Sequence, residues 1–321
     1  MLAGRRMNTI GISGRKVRFG CKLLFATLLL ATSGAAVTSG AFREISWAPA
    51  RIVSGSPCVF RVRMAVVPAS LSGSWQRHEL TFVPAGNYGV WYALAGVDVE
   101  TRPGSYNLKL RATLANGTVV RQWRMVTVGR ARFPTETLRV PDRYVEPDAD
   151  TLVLIKANQQ LKHAVFSHPI ANAEWSGDFR APIDSAVTEG FGTRRTFNGK
   201  LESIHRGIDY HAPPGTPVMA ANSGEVVLAR ELFYEGNCVI IDHGLGFTTI
   251  YMHLSQLEVS EGQQVEKGQE IALSGATGRV TGPHLHIAVR WQGAYLDPAQ
   301  LWALPLPDRH AVSVSTVKAT R

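Results

Sequence analysis

From Glu44 to Val128 apolar and polar residues alternate in short runs, among them Cys58 to Met64, Tyr106 to Ala112 and Val119 to Val128. A period of two sends successive side chains to opposite faces of a strand, and Pro103-Gly104 and Asn116-Gly117 supply turns between such runs. The pattern predicts a β-sandwich-like domain over residues 42–128. Its Trp75, Trp91, Tyr92 and Trp123 would serve either as a carbohydrate-stacking platform or as core, the latter being the commoner use of scattered aromatics. Between Gly129 and Trp175 the period of two is lost, and Pro134, Pro141 and Pro147 punctuate the chain. Residues 129–178 are therefore expected to be a connector. Within it, Asp148 or Asp150 would cap a helix running through Leu152, Ile155, Leu161 and Val165. From Phe179 strand-like runs return, now dense in glycine, which suits many tight turns between short strands. Residues 179–304 are predicted to be a second, all-β domain, followed by a tail over 305–321. Asp242 to Gly246 reads as a turn, and Val259 to Leu273 as a further hairpin.

The chain opens differently. A basic start, an apolar stretch from Leu23 to Ala31 and small residues leading to Ser39-Gly40-Ala41 have the three parts of a secretory signal over residues 1–41. An uncleaved anchor is the alternative, although an extension through Val37 includes Thr32, Ser33 and Gly34 and falls short of about 20 strongly apolar residues. The leader also changes the meaning of the net charge of +9. Arg5, Arg6, Arg15, Lys16, Arg18 and Lys22 lie in it without a single acid, so the remainder is only weakly basic. With no charge stripe and no recognisable binding module downstream, a nucleic-acid partner is not indicated. Of the three cysteines, Cys21 falls in the leader. Cys58 and Cys238 sit in different expected domains without CxxC spacing, and read as buried, unreactive thiols.

Metal-capable side chains gather in three short segments of the second domain: His205-Arg-Gly-Ile-Asp209, Tyr251-Met-His253-Leu254 and Gly282-Pro-His284-Leu-His286. Even spacing on a strand would put His205 and Asp209 on one face, and His284 and His286 together on another. His205, Asp209 and one histidine of the second pair would make a two-nitrogen, one-oxygen zinc site with a fourth position open, which marks a catalytic rather than a structural metal. A lone HxxxD or HxH arises easily by chance, so the weight lies in the combination. Of the other histidines, His211 shares the parity of Asp209 and His243 sits at a turn. Arg194, Arg195 and Asn198 occupy a glycine-bounded loop before His205, where they would either rim the cleft and contact substrate carboxylates or remain solvated.

In order along the chain stand Phe191-Gly-Thr-Arg-Arg195, His205-Arg-Gly-Ile-Asp-Tyr210, Ala212-Pro-Pro-Gly-Thr-Pro-Val218, Gly236-Asn237, Asp242-His-Gly244 and Thr277-Gly278 through Gly282-Pro-His-Leu-His286. Together they make residues 180 to 302 resemble the M23 peptidases, the lysostaphin-like or LytM group of peptidoglycan hydrolases. The resemblance implies an all-β LytM-like catalytic domain in which His205, Asp209 and His286 bind one zinc ion, while His284 and His253 face the metal-bound water. A metal-activated water attacking a peptide bond would follow, with His284 as general base and His253 stabilising the oxyanion, or the two exchanged. The absence of an HExxH helix argues against a glutamate base. The segments Trp91 to Asp98 and Pro103 to Tyr106 are similar to the β-domain that precedes some M23 catalytic domains.

These observations lead to the expectation of an exported zinc endopeptidase acting on peptidoglycan peptides in the periplasm, cell envelope or exterior, without a stable membrane span once the signal is removed. Two other classes compete. A non-catalytic LytM-type regulator that activates a cell-wall amidase would be expected to have lost metal residues, and none of the five is missing. A carrier-type barrel would need a lysine at a hairpin tip near Gly262 and Gly268, which the chain does not present convincingly.

Overall fold

A computed structural model of the chain describes residues 40–86 and 89–307; the expected signal over residues 1–41 lies almost wholly outside them, as does most of the tail. The N-terminal alternation resolves into two packed sheets. One has the strand order Phe42–Ala48, Pro57–Met64, Val90–Gly96, Val83–Pro84. The other has the order Ile52–Val53, Val119–Gly129, Gly104–Leu114, Pro68–Trp75, His78–Thr81. The inward positions Phe60, Val62, Leu108, Leu110, Val126 and Val128 are buried between them. Trp75 and Tyr92 are also core, and Phe60 meets Trp75 edge to face with centroids 4.9 Å apart. Trp123 alone of the four aromatics is largely exposed, at 62%.

The connector carries more structure than its prolines suggest. Asp148 caps a helix over Ala149–Ser167, accepting the Thr151 N–H at 2.8 Å. The helix lays Leu161, Val165 and Phe166 on Leu228, Leu232 and Ile250. Ahead of it, Thr135–Leu138 pairs in parallel with Arg194–Phe197, which in turn pairs with Leu201–Ile204. The connector is thus stitched into the edge of the second domain.

That domain is built on an antiparallel sheet ordered Val187–Glu189, Ile208–Tyr210, Leu285–Trp291, Phe247–Leu257, Gly236–Asp242, Gly224–Leu232, Gln264–Val265. Its central strands are apolar on both faces, in keeping with burial from both sides. The stretch from Val259 to Leu273 departs from the expected hairpin. Gln264–Val265 pairs with Gly224 and Glu225, whereas Glu270–Ser274 pairs with Pro217–Met219 and with the end of Phe247–Leu257. Val265 and Ile271 are both buried, each fixed by a different neighbouring strand, and this outweighs the local turn signal.

The two β-domains share one core. Phe247, Val289, Trp291, Leu296, Leu301 and Leu304 belong to the same buried cluster as Phe60, Tyr92 and Val126. A Cβ on Gly96 would stand 2.3 Å from Leu296, so the strand backbone meets that side chain directly. Polar contacts cross the same boundary: Ser56 Oγ donates to Gln300 Oε1 at 2.9 Å and the Tyr295 N–H to Asp98 Oδ2 at 2.9 Å. Cys58 and Cys238 are fully buried and unpaired, and burial raises both thiol pKa values. No helix among the described residues is long and apolar enough to cross a membrane.

Candidate active site

The even-spacing argument assumed that His205 and Asp209 share one strand, and the structure corrects it. The chain leaves a strand at Ile204 and enters the next at Ile208, so the two residues flank a break at His205–Gly207. They meet because the break folds His205 back over the new strand, bringing its Nε2 to 3.1 Å from Asp209 Oδ1. Asp209 lies directly across from His286 in the adjacent strand. His286 Nδ1 is 2.7 Å from Asp209 Oδ1 and 3.0 Å from His205 Nε2. Gly207 is required by this approach, since a Cβ there would lie 2.5 Å from His286 Nε2 and 2.3 Å from the Ile287 carbonyl.

Three donor atoms, two imidazole nitrogens and one carboxylate oxygen, therefore converge at mutual distances of 2.7 to 3.1 Å. Ligands at about 2.0–2.2 Å in tetrahedral array would be separated by about 3.3 Å, so the set fits a small divalent metal with little adjustment. His205 Nδ1 lies 2.9 Å from the Gly190 carbonyl. A carbonyl only accepts, so the proton is on Nδ1 and the lone pair of Nε2 faces the centre. Arg195 braces Asp209 from behind through Nη2 to Oδ2 at 2.9 Å, and it is itself held by Glu189. Burial opposes the ionised Asp209, but the adjoining His205 and His286 imidazoles outweigh it and hold the carboxyl well below its usual range. Burial lowers His286 in spite of its carboxylate partner.

Two further imidazoles stand beside the triad without joining it. His253 sits in a bulge where Asn237 pairs with Leu254 but Val239 pairs with Tyr251. Its φ of +64° turns the side chain out of the strand's alternation, as bulges next to binding sites commonly do. Its ring is 4.8 Å from that of His284 and 6.0 Å from that of His286. His253 Nδ1 is pinned by the Thr277 carbonyl at 2.9 Å and His284 Nδ1 by that of Gly282 at 2.8 Å, leaving both Nε2 atoms bare. Burial, followed by the charges of His286 and His284, pushes His253 well below the usual imidazole value. His284 is the more open of the two, and its Nε2 is 3.8 Å from Asp209 Oδ1.

All five residues line one cleft of about 530 Å³. Of the loop residues expected at its rim, Arg195 lines the cleft but spends its donors on Glu189 and Asp209. Arg194 is exposed and lies outside the lining. Asn198 is outside it too. Its side chain clamps the connector, accepting the Val140 N–H at 3.0 Å and donating to the Val140 carbonyl at 2.8 Å. His211 is exposed at the cleft edge. His243 is buried, with hydrogen bonds to the Ser223 carbonyl and Thr249 Oγ1. The lining also includes residues no sequence signal had marked, Glu136, Leu138 and Val140 from the connector, Glu189 and Tyr234, together with Arg279 from inside the Thr277-to-His286 motif.

An all-β domain whose cleft holds a His, Asp, His cluster able to hold a metal, with two further histidines beside it, is of the metallopeptidase class. The model of Peptidase family M23 matches residues 203–298. Those residues thus carry a peptidase M23 domain. It is 47% identical over 110 residues to the peptidoglycan DD-endopeptidase ShyA of Vibrio cholerae, covering 33% of this chain and 26% of that protein. It is 44% identical over 105 residues to the DD-carboxypeptidase/endopeptidase Mpg of Neisseria meningitidis, covering 33% and 24%. The chain thus matches about a quarter of the length of these curated relatives. Among solved structures, an M23-type peptidase from Pseudomonas aeruginosa superposes with a TM-score of 0.60 at 26% identity, over 78% of this chain and 95% of that one.

Proposed function

We propose that the chain is an exported zinc endopeptidase that hydrolyses peptide bonds of bacterial peptidoglycan. The observation that carries this reading is the convergence of three donor atoms beside two imidazoles whose Nε2 atoms are bare, all in one open cleft. His205, Asp209 and His286 would hold the zinc, and Arg195 and the Gly190 carbonyl would fix the aim of two of these ligands. A zinc ion there would polarise the scissile carbonyl and acidify a water.

The hydrogen bonds support an assignment of the histidine roles. With its proton on Nδ1, a neutral His253 or His284 can only accept at Nε2. Stabilising an oxyanion from His253 would require a proton on that Nε2, which burial opposes. His284, the more open of the two and with its Nε2 3.8 Å from Asp209 Oδ1, takes the proton from the attacking water and returns it to the leaving amine. His253 accepts the second hydrogen of the same water and sets its orientation. The names of the matched relatives support peptidoglycan as the substrate, and the leader-like residues 1–41 support export.

Purified full-length protein should contain close to one zinc per chain and release peptide fragments, identified by mass, from isolated sacculi. A strong chelator should stop release and added zinc restore it. Undiminished cleavage by metal-free protein would overturn the reading, and zinc-loaded protein that leaves sacculi intact would return the non-catalytic regulator.

A further inference from the structure

The cleft holds three cations among the described residues: Arg195, Arg206 and Arg279. Arg195 is neutralised by Glu189 and Asp209, and Arg206 by Glu100 at 3.0 Å. Among the described residues Arg279 has no ion pair and no side-chain hydrogen bond. Its guanidinium lies between two aromatic faces, 4.6 Å from the Phe197 centroid and 4.6 Å from that of Tyr234. Cation–π contacts cover the flat faces of a guanidinium and leave the N–H groups at its edge free, which is the geometry that a carboxylate meets in a fork. The nearest acid that could compete, Glu235, is committed to Lys162.

The mounting is rigid. The Arg279 N–H donates to the Tyr234 carbonyl at 2.9 Å, and the carbonyl of the preceding Gly278 accepts from Tyr144 Oη at 2.7 Å. Tyr144 packs in turn on Phe233, with centroids 5.2 Å apart. A half-buried cation without a counter-ion is unfavourable. Burial lowers the Arg279 pKa, as does the neighbouring Arg195 charge. The arrangement is therefore incomplete without an anion. Arg279 opens the loop that ends at His284, so a group bound to it sits on the same wall as the reacting bond.

We infer that Arg279 forms a carboxylate subsite, which selects peptides bearing a free carboxylate close to the bond that is cut. The inference rests on the peptidase reading for its substrate and names the chemistry of that substrate. Arg279 is a specificity residue here, separate from the residues that hold metal or move protons.

The test uses full-length protein and synthetic cross-linked stem-peptide dimers in three forms: all carboxyls free, only terminal carboxyls amidated, or only side-chain carboxyls amidated. One of the two amidations should lower kcat/KM of the wild type about 10- to 100-fold, the range for a hydrogen bond to a charged group. R279Q should be slower on the free dimer by a similar factor and should no longer distinguish the three forms. R279K, which keeps the charge without the fork, should retain a weaker preference. Zinc content equal to wild type shows that the site is intact. A wild type indifferent to both amidations, or an R279Q that is slower on every form yet keeps the wild-type preference, overturns the subsite. If the wild type cuts no dimer, the peptidase reading fails on its own. Binding of the three dimers to His284→Ala and to His284→Ala with R279Q then decides the subsite separately, with equal binding of all forms counting against it.

Discussion

Replacing His284 by alanine separates the chemistry of this site from its metal. The ring contributes none of the three short distances, and its Nε2 stays 3.8 Å from Asp209 Oδ1. Its one hydrogen bond among the described residues is with the Gly282 carbonyl at 2.8 Å, in a loop that solvent reaches. Zinc affinity should therefore change little. A general acid–base group is worth about 10²- to 10⁴-fold in rate. Because the His253 ring lies 4.8 Å away with its own bare Nε2, part of the function can pass to it. The expected loss is thus in the lower part of that range, about 10²- to 10³-fold, or about 2.7–4 kcal/mol of barrier. His286→Ala removes a donor and two of the three short distances, and should lose zinc and turnover together. The assay is zinc by mass spectrometry alongside kcat on the same preparations. Combining His253→Ala with His284→Ala should cost more than the product of the two single effects, because neither ring is then left to stand in for the other. Zinc lost in His284→Ala and retained in His286→Ala would refute the assignment.

Burial lowers His243 to about 4, while an unfolded histidine titrates near about 6.5. The unfolded chain thus takes up this proton first, so the stabilisation is complete above about pH 6.5 and is lost as pH falls through about 4, a difference of about 3 kcal/mol. Urea midpoints at pH 7, 5 and 4 measure it, and a His243→Asn variant with the same pH slope as wild type would exclude His243 as the source. Gly207→Ala would press a methyl on His286 Nε2 and the Ile287 carbonyl, and should weaken zinc binding at least about 10-fold, as disturbed ligand support does; unchanged affinity in a competition titration counts against the tight packing described. Asn198→Ala strips the Val140 N–H of its partner at a cost of about 1–3 kcal/mol, so hydrogen exchange over residues 134–146 should accelerate. Exchange unchanged there would mean that Asn198 does not clamp the connector.

Which side chains gather at the site was legible in three short motifs, because histidine and aspartate at close spacing have few other reasons to recur together. How each ring is aimed was not. His286 turns Nδ1 inward, while His205 and His253 turn Nδ1 to a carbonyl, and those carbonyls belong to Gly190 and Thr277, distant in sequence and featureless in composition. The bulge that redirects His253 depends on how two strands slip against each other, which no local pattern encodes. The sandwich was readable from its period of two. The connector was not, since Thr135–Leu138 has no apolar alternation of its own and is a strand only because Arg194–Phe197 offers it an edge. Arg279 lay within a quoted motif, but its lack of a counter-ion is a tertiary fact.

The shared core of the two β-domains bears on how this molecule comes apart. Domains joined by a hinge melt and are excised separately, each carrying its own sealed surface. Here a cut between them would uncover Trp291, Leu296 and Leu301 on one fragment and their partners on the other. A protease nicking the connector would leave the halves adhering, and thermal denaturation should appear as one cooperative event. A fragment beginning at Phe179 would expose a greasy flank and should tend to precipitate, since the N-terminal sandwich is what covers that flank.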